Sequence, residues 1–102
     1  CIGALITLDA EMLPQWLANH GLEDMDVVAA AADPRVRAAL ERAVARANEA
    51  VSRAESIRTF TILPTDFTVA NGLLTPSLKV RRAQAQERYA AQIEELYALP
   101  PR

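Results

Sequence analysis

The chain is poor in the residues that most often announce a specific chemistry. Among 102 residues it has one cysteine (Cys1), one histidine (His20) and one lysine (Lys79). A lone cysteine closes no internal disulfide, which suits a reducing compartment, and having no histidine near it in sequence it reads as a core-edge thiol. One histidine and one cysteine give no metal-ligand set, and Asp24 with Asp26 lacks the spacing of a calcium loop. No phosphate loop of the G-x-x-x-x-G-K type occurs, and no leader pattern is visible. The first apolar run, Ile2 to Leu8, is far short of the ~20 residues that a membrane-spanning helix requires.

What remains is globular in character, with 51% hydrophobic and 24% charged residues. The net charge of −2 hides an uneven distribution. Residues 1 to 26 hold five acids (Asp9, Glu11, Glu23, Asp24, Asp26) and no Lys or Arg. Residues 33 to 58 hold six arginines against four acids, and residues 79 to 88 hold four cations against Glu87 alone. A pI near 5.3 argues against nucleic acid as the main partner of that last patch.

The length suits a single domain spanning residues 1–102. Ile2 to Leu8 reads as a strand. Asp9 caps a helix expected over Glu11 to His20, with Gly21 as its stop, His20 suited to the helix end, and Met12, Leu13, Trp16 and Leu17 as its buried stripe. Asp33 followed by Pro34 is an N-cap with proline at the first helical position, and Val36, Leu40, Val44, Ala47 and Val51 recur at helical spacing behind it. The intervening arginines are expected to pair with Glu41 and Glu49 or to face water. Ala29 to Ala32 adds a short turn of helix before it. Ile57, Phe60 and Ile62 mark a second strand, ended by Pro64. Asn71-Gly72 signals a hairpin between 68–70 and 73–74. Thr75-Pro76 resembles a second cap-and-proline start, for a last helix running to about Tyr97, burying Leu78, Ala85, Tyr89, Ile93 and Leu96, and stopped by Pro100-Pro101. The class is α+β: a small mixed β-sheet with two longer α-helices.

The segment "GLLTPSLKVRR", residues 72 to 82, holds the candidate site. Cations in the first turn of a helix oppose its dipole, so Lys79, Arg81 and Arg82 there either tolerate that cost on a solvated face or await an anion. Ten arginines against one lysine make Lys79 the exception. An ammonium is a compact point charge that can touch oxygens on two different groups, whereas guanidinium prefers a planar fork. A lone lysine among eleven cations is also what a solvated surface residue looks like.

Taken with "AESIRTFTILPTDFT", the same segment resembles the carboxy-terminal end of long-chain fatty acyl-CoA synthetases, the AMP-forming adenylating ligases. The resemblance rests on Ile57, Phe60, Ile62 and Leu63 of the strand, then Phe67-Thr68, Gly72, Leu74-Thr75-Pro76-Ser77, Lys79 and Arg81-Arg82. "IGALITLD", Asp33-Pro34 and the helix carrying Asn48 extend it across nearly the whole chain. Leu73 departs from it, standing where many relatives place an acid.

The resemblance implies that residues 1–102 form most of the small carboxy-terminal lid domain of a larger enzyme, without its first strands and hinge. A start inside a strand-like run, with no initiator Met, fits such a piece. The implied enzyme uses ATP, Mg2+ and coenzyme A to convert a fatty acid first to acyl-adenylate and then to its thioester. Its partner for this chain is the large amino-terminal adenylation domain of the same polypeptide. Lys79 is implied as the lysine that the lid inserts for adenylation; Arg81 and Arg82 either hold coenzyme A phosphates or face water. The isolated chain is expected to be inactive and the intact enzyme cytoplasmic or peripheral to a membrane, and richness in alanine and arginine fits a GC-rich bacterial genome. The alternative is an autonomous, non-catalytic anion-binding or interaction module.

Overall fold

The computed structural model describes residues 2–98; the expectations for Cys1 and for Pro100-Pro101 lie outside the described residues. The chain divides into two compact units, 1–66 and 67–102. The first contains strand β1 (Ile2–Ile6), helices α1 (Leu13–Asn19), α2 (Val27–Ala32) and α3 (Pro34–Asn48), a single 3-10 turn (Arg53–Glu55) and strand β2 (Ile57–Ile62). The second contains helices α4 (Arg82–Arg88) and α5 (Ala90–Ala98).

The α+β class is what the structure shows. Its sheet is two parallel strands, with Gly3 opposite Thr59 and Ile6 opposite Ile62, and an irregularity between Ile2 and Gly3. The ladder is prolonged by Leu63 N–H donating to Ile6 C=O at 2.8 Å. Phe60 and Ile62 are buried, as the alternation of the strand requires, and Leu63, just past the strand's end, is buried as well. Among the described residues the antiparallel pairing is an isolated bridge, Leu74 with Val80, in the second unit.

Helix α1 begins later than the Asp9 cap suggested. The Asp9 side chain accepts from Glu11 N–H at 2.9 Å, and its carbonyl accepts from Met12 and Leu13, so Asp9 organises a turn before the helix. Pro14 then falls in the first helical turn, where its missing N–H costs nothing. Leu13 and Leu17 are buried and Trp16 packs at their edge, but Met12, lying outside the helix proper, is 64% exposed. The chain turns at Gly21, whose φ of +69° suits a residue without a Cβ. His20 closes the helix end, its Nδ1 2.8 Å from Trp16 C=O and its ring stacked on the indole at 4.0 Å. Leu13, Leu17, Ala30 and Val36 form the core cluster that ties α1, α2 and α3 together. Full burial of side chains such as Leu17 and Val36 is worth about 1.5–3 kcal/mol each.

Helix α3 starts as read. Asp33 Oδ1 accepts from Arg35 N–H at 2.8 Å, with Pro34 behind it. The Arg35 guanidinium then reaches both Asp33 (2.8 Å) and Glu23 (2.6 Å), tying the helix start to the α1–α2 loop. Val36 and Ala39 are buried and Leu40 and Val44 half-buried, but Ala47, in the last turn, is exposed, and so is Val51, which lies beyond the helix end at Asn48. Of the expected pairs, Arg37 meets Glu41 at 3.2 Å. Arg37 also donates to Phe60 C=O at 3.0 Å and lies 4.3 Å over the Phe60 ring, a link from α3 to β2 that no helical periodicity indicates.

A second such link closes the unit. Asn48 Nδ2 donates to Ile57 C=O at 2.9 Å, and Asn48 Oδ1 accepts from Ile57 N–H at 2.9 Å. One amide thus saturates both backbone groups of the first residue of β2. Asn48→Ala strands both in a part-buried place, and it is expected to cost about 1–3 kcal/mol in urea unfolding of the chain. Asn48→Asp, which keeps the acceptor and loses the donor, falls in between.

The Arg35 hydrogen bonds hold the Asp33 carboxyl down to about 2, from an ordinary 3.8. The same guanidinium lowers Glu23, again chiefly through its hydrogen bonds. A carboxylate depressed on folding contributes stability that is whole above its ordinary value and is lost as pH falls through the folded one. The unfolding midpoint is therefore expected to fall between pH 3.8 and about 2. Asp33→Asn lowers it at neutral pH and flattens that acid limb; an unchanged acid limb in Asp33→Asn would refute the assignment.

Candidate functional site

The cationic segment is built on two successive loops in the second unit. Thr68 and Asn71 bind each other's backbone: Thr68 N–H donates to Asn71 Oδ1 and Asn71 N–H to Thr68 Oγ1, both at 3.0 Å. Gly72 turns the chain with φ +80°; a Cβ there would have room, so the backbone angle and not packing calls for glycine. The Asn71-Gly72 turn exists, but no strand flanks it. Instead Leu73 and Leu74 N–H both return to Thr68 C=O, at 3.2 and 3.0 Å.

The strand pairing comes one loop later. Leu74 bridges Val80, Thr75 N–H donates to Lys79 C=O at 2.8 Å, and Arg81 N–H donates to Leu73 C=O at 2.8 Å. Residues 75–79 therefore close a tight loop and do not begin a helix. The reason lies at Leu78, which has φ +65° and so cannot continue a right-handed turn. Its side chain is 69% exposed, against the expectation of burial. The last helix starts at Arg82, with Arg81 at its cap position, and its hydrogen bonds run through an irregularity at Tyr89: Tyr89 N–H reaches Ala85 C=O, and Ile93 N–H reaches Tyr89 C=O. Ala85, Tyr89 and Leu96 are buried, and the Tyr89 ring stacks on Phe67 at 6.0 Å.

Lys79 accordingly sits in the closing leg of a loop, outside any helix, beside the bridged Val80. Arg81 and Arg82 follow directly. The dipole argument therefore does not apply to Lys79, whose backbone is fixed by hydrogen bonds to Thr75. All three cations are exposed, and among the described residues none has a carboxylate partner. Arg35 and Arg37, by contrast, are spent on holding the first unit together. An exposed ammonium on a backbone clamped at both sides can approach a second anionic body without first giving up a partner of its own.

Among the described residues no group of three or more His, Cys, Asp or Glu side chains could hold a metal ion. No helix among the described residues is long and apolar enough to cross a membrane.

Comparison with known proteins gives the family. The family described as AMP-binding enzyme C-terminal domain matches residues 20–99, and the chain belongs to it. The chain is 47% identical over 97 residues to the long-chain-fatty-acid–CoA ligase FadD15 of Mycobacterium tuberculosis, covering 94% of this chain and 16% of the relative. It is 33% identical over 101 residues to the peroxisomal long chain acyl-CoA synthetase 7 of Arabidopsis thaliana, and 32% over 96 residues to human long-chain-fatty-acid–CoA ligase 6. Each of these two matches covers 93% of this chain and 14% of the relative. The chain thus spans between about one seventh and one sixth of the length of these curated relatives. No solved structure matches it. Similarity to ligases along nearly the whole chain does not favour the autonomous anion-binding module.

Proposed function

We propose that the chain is most of the carboxy-terminal lid of a long-chain fatty acid–CoA ligase, without that domain's first strands or the hinge to the large adenylation domain. The observation that carries this reading is the exposed Lys79, without a side-chain partner among the described residues, on its clamped loop within a chain similar to such ligases over 94% of its length. In the first half-reaction a fatty acid carboxylate oxygen attacks the α-phosphorus of ATP, and pyrophosphate leaves. Two anions must meet, and the Lys79 ammonium contacts oxygens of both, stabilising charge that concentrates as the new P–O bond forms. In the second, the thiol of coenzyme A attacks the acyl carbonyl, AMP leaves, and the thiol proton is lost to solvent. Here Arg81 and Arg82 face the coenzyme's phosphates.

A lid can present Lys79 for one step and withdraw it for the next, leaving room for the thiol. Magnesium bound with the nucleotide would neutralise phosphate charge in the first step, and no residue of this chain is assigned to hold it. The isolated chain is inactive, because acyl tunnel and nucleotide pocket belong to the rest of the enzyme. That enzyme works in the cytoplasm or, as the alternative, at the membrane periphery.

The test is made in the full-length ligase that contains this chain. Lys79→Ala is expected to slow adenylation, read as fatty-acid-dependent pyrophosphate release, by about 10²–10³-fold. Thioester formation from supplied acyl-adenylate stays near the wild-type rate. Arg81→Gln with Arg82→Gln has the complementary signature, raising KM for coenzyme A and sparing adenylation. Equal slowing of both half-reactions by Lys79→Ala would sink the assignment.

A further inference from the structure

The Lys79 loop is held from a single residue. Thr75 meets it three times: its N–H donates to Lys79 C=O at 2.8 Å, its C=O accepts from Leu78 N–H at 2.8 Å, and its hydroxyl oxygen accepts from Lys79 N–H at 3.1 Å. Both backbone groups of Lys79 are thus bound to Thr75, one of them by the side chain. The hydroxyl also lies 3.1 Å from Ser77 Oγ, so it can accept from Lys79 while donating to Ser77.

This matters because the loop contains a residue in an unfavourable conformation. Leu78, directly before Lys79, has φ +65° and an exposed side chain, so little packing of its own holds it there. The flanking bridge between Leu74 and Val80 sets where the loop begins and ends. It does not set how the chain turns through residue 78. The bonds from Thr75 do, and of these only the hydroxyl bond depends on the side chain at position 75.

We infer that Thr75 is a positioning residue for the ligase reaction, its hydroxyl fixing the backbone of Lys79 so that the ammonium is aimed before substrate arrives. This rests on the reading of Lys79 as the lysine of adenylation. A mis-set backbone at Lys79 moves the ammonium at the end of a long side chain, and misplacements of about 1 Å at a reacting centre cost up to about 10²-fold. On this inference Thr75 acts through Lys79 and not on the substrate itself. Its removal therefore affects the turnover of one half-reaction and leaves substrate binding alone.

The experiment measures both half-reactions of the full-length ligase in Thr75→Val, Thr75→Ser and Lys79→Ala. Thr75→Val keeps the shape and removes the hydroxyl; loss of this one bond is expected to lower kcat for adenylation about tenfold. KM for fatty acid and ATP, and the rate of thioester formation from supplied acyl-adenylate, stay within about twofold of wild type. Thr75→Ser, which keeps the hydroxyl, restores adenylation. Leu78→Gly, which adopts positive φ freely, also leaves adenylation near wild type, whereas Leu78→Val reproduces the loss without touching position 75.

If Lys79→Ala slows adenylation selectively while Thr75→Val leaves it unchanged, the positioning role is overturned and the reading of Lys79 stands. Equal slowing of both half-reactions by Thr75→Val, or failure of Thr75→Ser to rescue, makes the role merely structural and overturns it too. If Lys79→Ala spares adenylation, it is the reading of Lys79 that falls. Should Thr75→Val fail to fold, the contrast between Leu78→Val and Leu78→Gly decides the same question.

Discussion

Parallel strands cannot be joined by a turn; the chain leaving one must travel the length of the sheet before it enters the next. Between Ile6 and Ile57 that journey takes three helices, and nearly every specific interaction in the first unit serves it. Arg35 pins the start of the longest helix to the loop before it, Arg37 leans on Phe60, and Asn48 delivers the chain into β2 in register. Two strands alone are a marginal sheet, so the helices and their polar ties carry much of the load.

That division explains what could be read from the sequence. The α+β class, both strands and the start of α3 follow from local signals, because Asp33-Pro34 and the alternation around Phe60 act over a few residues. Thr75-Pro76 carries the same local signature as Asp33-Pro34, yet it opens a loop. After Pro34 nothing competes with the helix. After Pro76 the pairing of Leu74 with Val80 and the positive φ of Leu78 take the backbone elsewhere. Val51 and Leu78 fall outside the helices expected to bury them, since periodicity says which face a residue shares but not where a helix stops or starts. The candidate cations were legible as residue types, whereas their setting was not: Lys79 lies off the helix, held by a threonine that resembled a cap.

Two sets of cations differ by what surrounds them. In the first unit, Arg35 and Arg37 have carboxylates or carbonyls within bonding distance and work as structural struts. In the second, Lys79, Arg81 and Arg82 are exposed, with no acid to neutralise them among the described residues. On the proposed reading, an enzyme lid has use for both kinds. Struts give it a shape that survives movement, and unspent charge gives it something to deliver.

The aromatic residues, scarce as they are, are divided in a way that makes the protein its own instrument. Trp16, the single tryptophan, lies in the first unit, stacked on His20, and both tyrosines, Tyr89 and Tyr97, lie in the second. Indole emission therefore follows α1 and its surroundings, while tyrosine absorbance follows the helices beyond the lysine loop. No dye or label is needed to watch the two halves separately. One thermal scan read at two wavelengths reveals whether they melt as a single cooperative body or one after the other.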